Sequence, residues 1–206
     1  MDLKIANALY GYFETMYIVN KRLIKLCGYN IMVCSELPTK ELLDIIQDLP
    51  RLIPYEYYNG KLVLSTRNGL LEFQNDIPCL KSKYEDILSN HYDFLDVVRK
   101  IRNKYEHRMH DIEWLGSVGS PFSFFDVQFD VNGEIYNIQG TKLICLVKEL
   151  NILFSTLSSS IQEYASANNL SSYPFNQKLC RFDYLDFNEI YDSKLLDKIG
   201  NIMYEF

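Results

Sequence analysis

Apolar residues fall along this chain in two rhythms, and the helical one dominates. Ile5, Leu9, Phe13, Met16, Leu23 and Cys27 recur at helical spacing, which predicts a helix over residues 2–27 with Gly28 as its stop. Thr39, followed by Leu42 and Leu43, reads as the N-cap of a shorter helix to Asp48, ended by Pro50. Residues 50–80 are punctuated by Pro50, Pro54, Gly60, Gly69 and Pro78, so an irregular segment is expected, with one short strand at Lys61–Ser65. Tyr84, Leu88, His91, Leu95, Val98, Arg102, Tyr105 and Met109 form one stripe, which predicts a single long helix over Lys81–His110, with Gly116, Gly119 and Pro121 marking its exit. Leu143, Val147, Leu150, Phe154, Leu157, Ile161 and Tyr164 predict a further long helix over Thr141–Ala165.

The alternating rhythm is clearest over residues 122–139. Asn132-Gly133 is the signature of a two-residue type I′ turn. Such a turn pairs Val131 with Glu134, Phe129 with Tyr136 and Val127 with Ile138, and sets Asp130 opposite Ile135 and Gln128 opposite Asn137. One face is then largely apolar and the other largely polar. Beyond a Ser- and Asn-rich exit and Pro174, residues 179–187 read as extended and Asn188–Tyr204 as a last short helix. The expected architecture is mainly α: one helical domain over 1–206, a bundle with a β-hairpin inserted between two of its long helices.

Composition narrows the function classes. With 206 residues, 48% apolar and 23% charged, the chain has the profile of an ordinary globular protein, with sixteen Tyr and twelve Phe to fill its core. The net charge of −6 excludes bulk attraction for polyanions, so contact with nucleic acid needs a local basic patch. Five cysteines, at 27, 34, 79, 145 and 180, make an odd count without C-x-x-C spacing, as expected of free thiols in a reducing cytoplasm. Polar residues Asp2, Lys4, Asn7 and Glu14 do not fit a signal peptide, and no membrane span is expected. Glycine-rich phosphate loops, G-x-S-x-G and H-E-x-x-H are all absent, which argues against an NTPase, a serine hydrolase or a zincin.

The chemistry concentrates in Arg102-Asn103-Lys104-Tyr105-Glu106-His107. Arg102 carries a planar, two-pronged donor suited to phosphate, and His107 the side chain suited to proton transfer near neutral pH. Between Arg99 and His110 five cations (Arg99, Lys100, Arg102, Lys104, Arg108) face one anion, Glu106, a local +4. That run also has a bland reading, since cations near a helix C-terminus answer the helix dipole. Arg102 has one too: Glu106 at i+4 is placed to pair with it. His91, on the apolar stripe, is expected to be a hydrogen-bonded core histidine. His107 and His110 at i, i+3 with Glu106 nearby lack a third ligand at recognisable spacing, so no metal is assigned. Tyr105 suits either base stacking or the core, and Phe122, Phe124 and Phe125 suit the core or an interface.

An Arg-Asn pair followed by His near a helix end, within a small helical bundle, resembles the HEPN superfamily of nucleases. Those domains carry Arg, four to six residues, then His; here Arg102 and His107 enclose four residues and Asn103 follows the Arg. The resemblance covers residues 1–165, and only the motif is specific. It implies a metal-independent endoribonuclease without a cofactor. His107 would serve as general base or acid for attack of a 2′-hydroxyl on the adjacent phosphodiester, Arg102 would stabilise the phosphate charge, and Asn103 would orient its neighbours. Products would carry a 2′,3′-cyclic phosphate. Lys104, Arg108 and His110 are the expected substrate-binding residues. The implied setting is a homodimer in toxin–antitoxin or phage-defence systems, with RNA as substrate and a cognate antitoxin or regulator as partner. In one branch of the family a Tyr two residues after the His is modified by a partner nucleotidyltransferase; Met109 stands there, which puts such control in doubt. The other reading is a non-catalytic helical module that binds RNA, a nucleotide or a partner protein through the same helix.

Helix geometry constrains the motif. At 100° per residue, Arg102 and His107 are about 140° apart on an unbroken helix. Asn103, His107 and His110 share a side that Arg102 does not. Either the helix ends inside the motif, or two copies of the motif meet across a two-fold axis.

Overall fold

The computed structural model describes residues 3–28, 36–67, 69–75, 77, 79–107, 112–117, 126–131 and 133–167. Five helices carry the fold: α1 (Leu3–Gly28), α2 (Glu36–Leu52), α3 (Leu80–Asn90), α4 (Tyr92–His107) and α5 (Gly140–Ala167). Strands β1 (Tyr55–Tyr58) and β2 (Lys61–Leu64) form one antiparallel hairpin. Strands β3 (Ile112–Ser117), β4 (Asp126–Val131) and β5 (Glu134–Gln139) form an antiparallel meander. The architecture is mainly helical, as the dominant rhythm predicts.

The core is one cluster built from the apolar faces of all five helices and the inner face of β4 and β5. Phe13, Met16 and Leu23 of α1 are buried, and so are Leu143, Val147, Leu150 and Leu157 of α5. Both faces are wider than the stripes read from the sequence. Tyr12 and Val19 join them on α1, and Ile144, Leu146 and Leu153 on α5, because each helix is covered from more than one side. Two polar devices tie α1 to its neighbours. Asn20 of α1 and Asn151 of α5 exchange amide hydrogen bonds of 2.8 and 2.9 Å inside the core. Arg22 of α1 meets Asp48 at 2.6 Å, Asp44 at 3.5 Å and Glu41 at 3.9 Å, three acids on one face of α2.

Helix α2 is longer than predicted at both ends. It begins at Glu36 rather than at a Thr39 cap, and it runs through Pro50 to Leu52. Pro38 falls among the first four residues, whose N–H groups lack an intrahelical partner in any case. Pro50 removes only one bond in the last turn, and Leu49, Leu52 and Ile53 are fully buried around it, so burial outweighs the lost bond.

The long helix expected over Lys81–His110 is two helices. His91 adopts φ −115° and ψ 18° between α3 and α4, which interrupts the helix for one residue. Backbone bonds span the break, from His91 N–H to the Ile87 carbonyl (3.1 Å) and from Leu95 N–H to the His91 carbonyl (2.9 Å). The stripe therefore survives, and Tyr84, Leu88, His91, Leu95 and Val98 are all buried. Asn90 and His91 are weak helix formers placed back to back, the natural point to yield.

Segment 50–80 is less irregular than expected. Asn59 (φ 49°) and Gly60 (φ 81°) make the left-handed pair of a type I′ turn, and the strand read at Lys61 gains a partner in Tyr55–Tyr58. A short 3-10 turn follows at Gly69–Phe73. The second hairpin has the register read from its turn, pair by pair: Val131 with Glu134, Asp130 with Ile135, Phe129 with Tyr136, Gln128 with Asn137 and Val127 with Ile138. Gly133 has φ 80°, and its N–H donates to the Asp130 carboxylate at 2.7 Å. Residues 112–117, which include the Gly116 read as marking the helix exit, add β3 to this sheet, with a register shift between Trp114 and Gly116. The elements expected at 179–187 and 188–204, and Phe122, Phe124 and Phe125, lie outside the described residues.

Candidate nucleic-acid interface on helix α4

Helix α4 lies between the two sheets. On one side the Leu62 N–H of β2 donates to the Tyr92 hydroxyl at 3.1 Å, which holds the first hairpin against the start of the helix. On the other side α4 packs against β4 and β5. Its inward face, Phe94, Leu95, Val98 and Ile101, is buried, leaving the two flanks for polar groups.

Each flank presents a tyrosine to a cation. On strand β1, Tyr55 and Tyr57 share a face because side chains alternate. The Arg99 guanidinium lies 4.0 Å from the centre of the Tyr57 ring. On strand β5, Tyr136 meets Lys100, whose Nζ is 5.6 Å from its ring centre. Asp96 stands between, one turn back on α4. It accepts hydrogen bonds from Arg99 at 2.7 and 3.0 Å and lies 3.0 Å from Lys100 Nζ. Partial burial opposes the ionisation of Asp96, but these bonds prevail and hold its carboxyl below the usual range. The same Asp96 bond raises the Lys100 pKa. The Tyr136 hydroxyl donates to the Glu134 carboxylate, which, aided by burial, raises its pKa.

Asp96, Arg99 and Arg102 are spaced by three and form a row on the flank toward β1. Tyr55 lies against this row. Burial pushes its phenol up to about 12, against the opposing pull of Arg102 and Arg99. The hydroxyl is shielded from solvent and has no hydrogen-bond partner. Arg102 is half-buried, with its Nε shielded from solvent; Asn103 is exposed and Lys104 half-buried. The basic count from Arg99 onward thus omits Asp96, which offsets one charge of the Arg99–Lys100 pair.

His107 is the last residue of α4, so the helix is continuous from Arg102 to His107. Of the two routes to convergence, an end inside the motif is not the one the backbone takes. The side chains of Tyr105, Glu106 and His107, and the whole of Arg108, Met109 and His110, lie outside the described residues. The structure therefore groups Arg102 and Lys104 with Tyr55, Tyr57, Asp96, Arg99, Lys100 and Tyr136. Of these partners, the aromatic and acidic ones were missed in the sequence. A second Asn-Gly turn at 59–60 and the i, i+3/i+4 spacing of Asp96 to Arg99 and Lys100 were the signals for them.

The other end of α4 carries a cleft of about 290 Å³, lined in part by His91, Tyr92, Asp93, Thr141, Lys142 and Cys145. His91 is 9% exposed, and its Nε2 lies 3.1 Å from Glu149 Oε1 without hydrogen-bond alignment. It is a core histidine held by contact with a carboxylate rather than by the hydrogen bond expected. Asp93 is about 14 Å along the helix from Arg102, too far to share a ligand-sized site. Among the described residues, no cluster of three or more His, Cys, Asp or Glu is placed to hold a metal ion, and no helix is long and apolar enough to cross a membrane. No family model, curated protein or solved structure matches this chain.

Proposed function

We propose that this protein is a HEPN-like endoribonuclease that cuts single-stranded RNA without a metal ion, as a homodimer in the cytoplasm, in a toxin or phage-defence role. The observation that carries the reading is the Arg102-Asn103-x-x-x-His107 constellation on an unbroken stretch of α4. In the reaction, the 2′-oxygen bonds to phosphorus as the bond from phosphorus to the 5′-oxygen breaks, leaving a 2′,3′-cyclic phosphate and a 5′-hydroxyl. His107 takes the 2′ proton and hands it to the departing 5′-oxygen. Arg102 holds the phosphate charge through its terminal amines, because its Nε is shielded. Asn103, exposed one residue on, orients the neighbouring groups. Lys104, Arg108 and His110 hold the flanking phosphates. A cognate antitoxin or regulator would keep such an activity in check.

The test uses the full chain with labelled single-stranded RNA in excess EDTA. Cleavage is expected, with cyclic phosphate ends. Arg102→Ala and His107→Ala should each reduce it by about a hundredfold or more while far-ultraviolet circular dichroism stays unchanged. If Arg102 and His107 of different copies form each site, mixing the two inactive variants restores about a quarter of the activity, since half the dimers are mixed and each has one intact site. Cutting that stops on chelation, or persists in His107→Ala, refutes the proposal.

A second reading has its own support. Asp96 ties down two of the cations, and Arg102 is half-buried beside Tyr55, as a structural arginine would be. Under this reading α4 is a non-catalytic surface that binds RNA, a nucleotide or a protein, and His107→Ala would behave as wild type in every assay.

A further inference from the structure

The geometry points to Tyr57 and Tyr136, the tyrosines that flank α4, as stacking platforms for the bases of single-stranded RNA, with Arg99 and Lys100 beneath or beside them for the backbone. This deepens the proposed ribonuclease and rests on it for the identity of the nucleic acid.

Tyr57 is 53% exposed, although a guanidinium lies against its ring. One ring face is therefore engaged by Arg99, and the exposure leaves room for a base on the other. A cation behind an aromatic ring reinforces stacking in front of it, and stacking tolerates any base because every base has a π-face. On the opposite flank Tyr136 meets Lys100; its ring packs partly against the core, and being half-buried it leaves only part of the ring open. Asp96 bonds both cations and so pre-orders them, which lowers the entropy lost when a strand binds. The surface is complementary in charge to a phosphate backbone: Arg99, Lys100, Arg102 and Lys104 outnumber Asp96 and Glu134. Both rings are carried on paired strands, which set their positions. A duplex keeps its bases stacked within itself and offers such rings nothing to stack on.

The full chain with His107→Ala serves as the parent, so that the RNA survives. Fluorescence anisotropy is measured with a labelled single-stranded oligouridylate and a duplex of equal length. Tyr57→Ala and Tyr136→Ala are each expected to weaken single-strand binding by about tenfold. Tyr58→Ala, on the opposite face of β1 and 63% exposed, should change it less than about twofold. Tyr57→Leu keeps an apolar side chain beside Arg99 without an aromatic face, and it should lose affinity as Tyr57→Ala does even if the alanine variant folds poorly.

Unchanged binding in the Tyr57 and Tyr136 variants overturns the inference and leaves the nuclease proposal standing. So does duplex binding as tight as single-strand binding. Displacement of the RNA by polyglutamate as effective as by unlabelled RNA would mark a docking face for an acidic protein segment, and overturns it too. Loss of binding in Tyr57→Ala, beside a wild type that never cuts RNA, supports the inference and refutes the nuclease. A parent that binds no RNA at low salt refutes both.

Discussion

The amide pair Asn20–Asn151 tests the helix packing on which every functional placement depends. Asn20 Nδ2 donates to Asn151 Oδ1 at 2.8 Å, and Asn151 Nδ2 donates back to Asn20 Oδ1 at 2.9 Å and to the Val147 carbonyl at 2.9 Å. Asn20 is 7% exposed and Asn151 6%, so water does not replace a lost partner. Replacing either by Leu, close to it in volume, removes two interhelical bonds of about 1 kcal/mol each and strands the remaining amide at a further ~1–3 kcal/mol. Each single variant should therefore lose about 3–5 kcal/mol. The double variant Asn20→Leu/Asn151→Leu removes both desolvated amides together and should fall within about 1 kcal/mol of wild type, because matched apolar replacement is nearly neutral. Urea titration followed by circular dichroism measures all four proteins. If the singles cost under about 1 kcal/mol and the double is their simple sum, the amides face water and α1 does not meet α5 in this register.

Two further outcomes concern the α4 flanks. Asp96 has a folded pKa below its unfolded 3.8, so its stabilisation is complete above pH 3.8 and drains away as pH falls through the lower folded value. Acid titration should show wild type losing less than about 1 kcal/mol there, since solvent screens the Lys100 side, and Asp96→Asn should flatten that limb; an unchanged limb in Asp96→Asn refutes the assignment. Tyr55 hides a hydroxyl with no partner, so Tyr55→Phe should leave stability equal or raise it by about 1 kcal/mol. Its phenol rises from 10 to about 12 on folding, so the wild type should lose stability between those pH values and Tyr55→Phe should not; identical alkaline limbs would count against this environment.

What could be read from the sequence followed from local rules. The hairpin at 126–139 was legible because a two-residue turn leaves one register, and only one register puts Val127, Phe129 and Ile138 inside. The first hairpin obeys the same rule at Asn59-Gly60 but was hidden by prolines at 50 and 54, which read as punctuation. Pro50 shows why that reading fails: tertiary burial of Leu49 and Leu52 carries a helix through a residue that local propensity would end it on. The break at His91 was invisible for a related reason. A one-residue interruption leaves the apolar stripe in phase, so periodicity cannot register it. At the site, Arg102 and His107 were legible as residue types. The Tyr55, Tyr57 and Tyr136 surroundings were not, because they come from strands, with Tyr55 and Tyr57 47 and 45 positions before Arg102 and Tyr136 34 positions after it.

The charge of the whole protein decides how such a surface has to work. At −6 the chain repels polyanions at a distance, but at physiological salt that repulsion fades beyond about 8 Å. Within that range the proposed strand would meet four cations, two of them shared with Asp96. Few counterions are therefore released on contact, and charge alone supplies little affinity. Stacking is neutral and unscreened, so under the proposed function the rings that flank α4 would hold the strand while the cations set its path. Under the same proposal Asp96 would have a part in selectivity. A bare row of Arg99, Lys100, Arg102 and Lys104 would gather any polyanion, duplex included; a carboxylate that fixes two of them lowers that indiscriminate attraction and leaves the choice of partner to the aromatic faces.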